Sequence, residues 1–77
     1  MKPTRLSELE PGAWATITRL PDGIPGLTRL REFGLLPGTR IQFVRRAPLG
    51  DPVEISVRGA LLSLRDSEAS LMEVDRC

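Results

Sequence analysis

Closely spaced turn formers constrain this chain more than any other feature of its sequence. Its 77 residues include seven prolines and seven glycines, and most of them fall in short clusters such as Pro11-Gly12, Pro37-Gly38 and the segment 47–52. Pro-Gly pairs supply the backbone angles of tight turns. Turn signals every 8–12 residues or so leave room only for short elements, a pattern typical of a small β-sandwich or barrel.

Between the turns, apolar and polar residues alternate with the period of a half-buried strand. The clearest case is 53–58, where Val53, Ile55 and Val57 alternate with polar residues. The same pattern, with Ile17, Ile41 and Phe43 directed inward, predicts five strands. They lie at 13–19, at 39–47, at 53–58, around Leu62 and Leu64, and around Met72 and Val74.

Two helical segments interrupt this pattern. Leu27, Leu30 and Phe33 recur at helical spacing, which predicts a helix over 27–33 with Phe33 in the core and Gly34 as a left-handed C-terminal cap. A single helical turn is expected at 67–70, with the carboxylate of Asp66 capping its N-terminus.

The size of the chain supports a single small core. A folded chain of this length buries roughly 60 % of the surface that it exposes when unfolded, and 40 % of its residues are hydrophobic. Five short strands avoid exposed edges best when the sheet closes on itself. We therefore predict one domain over 1–77, mainly β, with the architecture of a small SH3-like barrel and one inserted short helix.

The side-chain inventory excludes several kinds of chemistry. The chain has no histidine and one cysteine, Cys77, so an internal disulfide, a zinc site of the usual Cys and His type and a histidine base are all impossible. The acidic residues show no spacing typical of metal ligands. We predict no catalytic residue, no metal site and no cofactor, and hence a protein that is not an enzyme.

Ten of the eleven basic residues are arginine, although the net charge is only +1. A patch of Arg40, Arg45, Arg46 and Arg58 could contact nucleic acid, but Trp14 is the one aromatic side chain left outside the predicted core. Binding of a protein is favoured instead, because Trp and Arg are enriched at binding hot spots. Exposed apolar candidates are Trp14, Leu35, Val44 and Leu49.

Several blocks of this sequence together resemble the FeoA family (ferrous iron transport protein A). The most specific are Gly-Leu-Leu-Pro-Gly at 34–38 and Ala-Pro-Leu-Gly-Asp-Pro at 47–52, at their mutual spacing. Leu30–Phe33, 41–44, the opening Leu9-Glu10-Pro11-Gly12 and the closing Met72-Glu73-Val74 are similar as well. The resemblance covers nearly the whole chain.

This resemblance implies a cytoplasmic, SH3-like, non-enzymatic bacterial protein. Its implied partner is the membrane ferrous iron transporter FeoB, whose cytosolic part carries a GTP-binding domain. The alternatives are a regulatory domain of the kind found in iron-dependent repressors, and a small nucleic-acid-binding barrel. A nucleic-acid partner is not expected. Insertion into a membrane is not expected either, since no apolar run is long enough to span a bilayer.

The family-like blocks suggest where the partner binds. Our hypothesis is that the helix 27–33 and the loop 47–53 present the contact surface. The residues expected to contact the partner are Arg29, Arg31, Arg45, Arg46, Leu49 and Asp51.

Overall fold

The structure is a computed structural model that describes residues 3–77. Six strands and three helical segments follow one another along the chain. They are β1 (Thr4–Arg5), a 3₁₀ turn (Leu6–Glu8), β2 (Trp14–Arg19), α1 (Pro25–Glu32), β3 (Arg40–Arg46), β4 (Val53–Val57), β5 (Ala60–Leu64), α2 (Asp66–Ala69) and β6 (Glu73–Arg76). The five predicted strands are present as β2 to β6. The additional strand, β1, was not predicted, because its two residues are too few to show any alternation.

All six strands form one antiparallel sheet in the order β1-β6-β2-β3-β4-β5. Over residues 3–77, β1 and β5 are not hydrogen-bonded to each other, so the expectation of a closed barrel is wrong. The reason lies in what adjoins the two edges. The 3₁₀ turn directly follows β1, α2 follows β5, and these two helical segments contact each other.

The predicted alternation places the core as expected on the central strands. Ile17 on β2, Ile41 and Phe43 on β3, and Ile55 on β4 are fully buried. The register of β3 against β4 shifts between Phe43 and Arg45, so this irregularity falls at Val44, the residue that breaks the polar face. The core therefore lies on one face of the sheet, and the other face carries mainly polar side chains together with the exposed Trp14 and Leu61.

Helix α1 ends in the predicted glycine cap. Gly34 has a φ of 99°, its N–H donates to the Arg31 carbonyl at 2.9 Å, and the N–H of Leu35 donates to the Leu30 carbonyl at 3.1 Å. This pair of bonds is the Schellman motif, which normally brings the second residue after the cap against the last turn of the helix. Leu35 is accordingly buried, and its predicted exposure is wrong.

Phe33 was expected in the core but is 64 % exposed. Residues three apart on a helix differ by 300°, so a run at 27, 30 and 33 drifts, and Phe33 lies about 120° away from Leu27. The helix also ends before it, since Phe33 has a ψ of 1°. Leu27 and Leu30 fill the core as predicted, and Leu35 takes the place assigned to Phe33.

The predicted cap of α2 is also different. Arg65 occupies the N-cap position, and its N–H donates to Oε1 of Glu68 at 2.8 Å. The Asp66 carboxylate instead accepts from Nη1 of Arg46 at 2.5 Å. The carboxylate that caps α2 is therefore that of Glu68. Asp66 instead makes a long-range contact that no local sequence pattern indicates.

The connection from α1 to β3 is held by Thr39, which is almost fully buried. Its Oγ1 donates to the Gly34 carbonyl at 3.0 Å and accepts from the Leu36 N–H at 3.4 Å. Replacing Thr39 with valine keeps the shape and removes both bonds, so we expect the free energy of unfolding to fall by about 1–2 kcal/mol.

Chemical denaturation of Thr39→Val and Thr28→Val measures this effect. Thr28 is exposed on α1, so the same change there should cost less than about 0.7 kcal/mol, the scale of helix propensity. Equal losses in the two variants would contradict a supporting role for Thr39.

Candidate functional site

Five of the six predicted contact residues either belong to the loop 47–52, which joins β3 to β4, or line a hollow beside it. Two hollows that share Pro52 flank this loop. One, of about 320 Å³, is lined by Arg29, Asp51, Pro52, Ser63, Leu64, Arg65 and Glu68. The other, of about 490 Å³, is lined by Arg45, Arg46, Ala47, Pro48, Pro52 and Glu54.

The loop is fixed by its own backbone. The Gly50 N–H donates to the Ala47 carbonyl at 2.7 Å, and the Ala47 N–H donates to the Pro52 carbonyl at 3.0 Å. Gly50 has a φ of 92°, which a residue with a β-carbon adopts only at a cost. These constraints leave Leu49 at the tip with 97 % of its surface exposed. The predicted exposure of this leucine is confirmed.

Arg46 uses its guanidinium inside the domain. Nη2 donates to the Ser7 carbonyl at 2.6 Å, and Nη1 donates to Asp66 at 2.5 Å and to the Gly50 carbonyl at 3.4 Å. The guanidinium also lies 5.3 Å from the centre of the Phe43 ring. Arg46 thus ties β3 to the 3₁₀ turn, to α2 and to the loop, and it acts on the surface by holding its shape.

Arg45 points the other way and is 73 % exposed. It lies opposite Glu54 in the β3–β4 register and forms an ion pair with that carboxylate. The pKa of Arg45 is raised, first by its hydrogen bond to Glu54 and then by the charge of that carboxylate. The side chain is therefore a charged and accessible group at the edge of the second hollow.

Arg29 and Asp51 both line the first hollow. Among the described residues, Arg29 has no carboxylate within 4 Å. Asp51 accepts from the Asp66 N–H at 2.9 Å and lies 3.8 Å from Arg65, so part of its capacity is used to hold the start of α2. Arg29 is the freer of the two for contact with another molecule.

Of the predicted contact residues, Arg31 and Leu49 line neither hollow; Leu49 lies at the tip of the loop, and Arg31 lies on α1. Its Nη2 donates to the carbonyls of Leu20 and Pro21, both at 3.1 Å, and lies 2.8 Å from Asp22. Arg31 therefore fixes the turn between β2 and α1, a role that its sequence position did not indicate.

A third hollow, which was not predicted from the sequence, lies at the other end of β3. We call it the Trp14 groove. It measures about 600 Å³ and is lined by Trp14, Leu36, Pro37, Gly38, Thr39, Arg40, Ser56, Arg58 and Gly59. The signal that could have found it is the unassigned Trp14 together with Arg40, which follows the Pro37-Gly38 turn, and Arg58, which precedes Gly59. Trp14 is 43 % exposed, as predicted.

Within residues 3–77, no three His, Cys, Asp or Glu side chains are placed so that they could hold a metal ion. No helix there has the length and apolar character needed to cross a membrane.

The family model described as the FeoA domain matches residues 4–76. The chain belongs to the FeoA family. It is 38 % identical over 71 residues to a protein of Porphyromonas gingivalis named as a fusion of Fe(2+) transport protein A and Fe(2+) transporter FeoB. That match covers 92 % of this chain and 8 % of the relative, so the chain spans less than a tenth of the relative's length. The resemblance to a family of ferrous iron transport is confirmed.

Solved structures confirm the SH3-like fold. The solution structure of a FeoA protein from Chlorobium tepidum is 37 % identical, with a TM-score of 0.88, over 95 % of this chain and 70 % of that one. A crystal structure of IdeR from T. acidophilum matches with a TM-score of 0.85 at 24 % identity, over 100 % of this chain and 35 % of that one. The second likeness concerns the fold alone.

Arg46 and its neighbour Arg45 allow a matched test of their roles. Arg46→Ala removes contacts to three acceptors, so we expect the free energy of unfolding to fall by about 1–3 kcal/mol. Arg45→Ala removes an exposed ion pair and should leave stability almost unchanged. Thermal and denaturant unfolding measure both, and a larger loss in Arg45→Ala would show that the assigned roles are reversed.

Proposed function

We propose that this chain is a non-enzymatic, cytoplasmic accessory protein of ferrous iron uptake that binds and modulates the transporter FeoB. The observation that carries the proposal is the Porphyromonas gingivalis relative, whose name joins transport protein A and FeoB in one polypeptide. Fusion holds two modules at an effective concentration in the millimolar range when the linker is short. Fusion is therefore of most use to two modules that act together but bind each other only weakly when they are separate.

The proposed contact surface is the loop 47–52 with the two hollows beside it, which we call the loop surface. Leu49 supplies an exposed apolar side chain at the tip of the loop, and Arg29 and Arg45 each supply a charge in one of the two hollows. Asp51 lines one hollow. An exposed apolar anchor with arginines around it has the composition of a binding hot spot.

The proposed partner region is the cytosolic, GTP-binding part of FeoB. A contact made by Leu49 and two arginines requires a shallow apolar pocket with carboxylates at its rim. Arg31 and Arg46 contribute indirectly, since their guanidinium groups hold the turn before α1 and the base of the loop. The chain acts by contact, and we assign it no reaction of its own.

Calorimetric titration of the purified chain with the cytosolic part of FeoB from the same organism tests the proposal. Wild-type protein should bind, and Leu49→Asp should raise Kd at least about tenfold, equivalent to about 1.4 kcal/mol. Leu61→Asp is the control, because Leu61 is also exposed but lies on β5 outside the loop surface. No binding by the wild-type chain, or equal effects of the two variants, would refute the proposal.

Iron uptake provides the cellular counterpart of this test. A strain that lacks the gene should take up labelled ferrous iron more slowly under anaerobic conditions. Wild-type protein and Leu61→Asp should restore the rate, and Leu49→Asp should not. Unchanged uptake in the deletion strain would argue against a role in transport.

A further inference from the structure

The Trp14 groove lies far from the loop surface. Arg40, which lines the groove, begins β3, and Arg46, beside the loop, ends it. At roughly 3.3 Å per residue these seven residues place the two sites about 20 Å apart. The groove and the loop surface are therefore separate sites, and the inference below goes beyond the function proposed above.

The groove is positively charged and carries no compensating acid. Its lining residues include Arg40 and Arg58 and no Asp or Glu. Seven of the ten arginines in the chain lie within 4 Å of a carboxylate. Arg40 and Arg58 have no such partner among the described residues, and they share one groove. The concentration of unneutralised guanidinium groups here calls for carboxylates from another molecule.

Apolar surface lies between these charges. Trp14 is 43 % exposed and Leu36 is 44 % exposed, and Pro37 lies beside them in the lining. The guanidinium of Arg40 lies 4.7 Å from the centre of the Trp14 ring, which positions the charge against the indole. The groove therefore offers an apolar contact next to fixed cations.

The walls of the groove are fixed before any ligand arrives. The Gly38 N–H donates to the Ile17 carbonyl at 2.7 Å, and the Ile17 N–H donates to the Thr39 carbonyl at 2.9 Å. Together with the bonds of the Thr39 hydroxyl, these contacts fasten the segment 34–39 to β2. A preformed groove loses less conformational entropy on binding than a mobile loop does.

Arg58 occupies a backbone position that arginine does not favour. It has a φ of 51° and Gly59 a φ of 83°, and the two form the turn between the paired residues Val57 and Ala60. Positive φ at both central residues is the pattern of a type I′ turn, where Asn, Asp and Gly are preferred. Strain of this kind is commonly stored at functional sites. Arg58 thus places a long cationic side chain in a turn that a smaller residue would suit better.

We propose that the Trp14 groove binds an extended acidic segment of a partner protein. Carboxylates of the segment pair with Arg40 and Arg58, and an apolar side chain between them packs on Trp14 and Leu36. A single-stranded nucleic acid is less suited to this site. Its bases need several aromatic faces for stacking along the strand, whereas the groove offers one indole, and Arg40 covers one side of it. Two guanidinium groups in a chain of net charge +1 also give little affinity for a phosphate backbone.

The lone tryptophan of the chain reports directly on this groove. The first probe is a synthetic decapeptide with a central leucine flanked by glutamates, titrated to about 2 mM while Trp14 emission and amide NMR shifts are recorded. We expect saturable binding with shifts concentrated at Trp14, at 36–40 and at 56–59. The same peptide with glutamines in place of the glutamates should bind at least tenfold more weakly. Oligothymidylate should produce weaker changes than the acidic peptide.

Arg58→Asn separates binding from folding, because asparagine suits the turn better than arginine does. We expect this variant to melt a few degrees above wild type and to bind the acidic peptide at least tenfold more weakly. Arg19→Gln is the control, since it loses the same charge outside the groove and should bind as wild type does.

Four results would overturn the proposal. They are no binding of the acidic peptide, equal binding of the glutamine peptide, tighter binding of oligothymidylate, and wild-type affinity in Arg58→Asn. Failure of the chain to bind FeoB through the loop surface would leave these results unaffected, since Leu49 is not part of the groove.

Discussion

The pairing of β3 with both β2 and β4 is the interaction on which the rest of this structure depends. Phe43, fully buried at the middle of β3, donates its N–H to the Ala13 carbonyl at 2.9 Å, and its carbonyl accepts the Gly12 N–H at 2.8 Å. The strand thereby fixes the first turn of the domain as well as the sheet. Both candidate surfaces lie at its ends, so their separation and orientation follow from this one strand.

The distribution of ion pairs distinguishes structural arginines from available ones. Exposed ion pairs contribute little to the free energy of folding, so their role here is to hold side chains in position. Arg31 and Arg46 add hydrogen bonds to backbone carbonyls and fix the turns they touch. Arg29, Arg40 and Arg58 lack a carboxylate neighbour among residues 3–77 and lie beside hollows. An arginine-rich sequence thus divides into side chains that shape the fold and side chains that face outward.

Local periodicity was sufficient to predict most of the fold. The alternation of Val53, Ile55 and Val57 located β4, and turn chemistry located the loop that presents Leu49. Periodicity failed where a local pattern met a tertiary constraint. Phe33 continued a spacing that drifts around the helix, and Leu35 was drawn into the core by the cap at Gly34. The closed barrel was wrong because helical segments adjoin both sheet edges, a contact between residues distant in sequence.

The candidate site was harder to predict for the same reason. The contacts of Arg46 with Ser7 and Asp66 join residues 39 and 20 positions away, and no local pattern encodes them. The Trp14 groove combines residues of β2, β3 and β4 with two turns, so it exists only after the sheet has formed. The sequence therefore identified the residue types of a contact surface, and the fold determined which of those residues lie on the same surface.

The central claim is that this domain acts by contact and binds FeoB through the loop surface at one end of β3. Hydrogen exchange of the chain, measured with and without the cytosolic part of FeoB, tests it most directly. The account predicts slower exchange in the loop 47–52 and along α1, with the β2–α1 turn unchanged. Identical exchange in the presence and absence of the transporter fragment, or protection confined to the turn at 20–24, would contradict it.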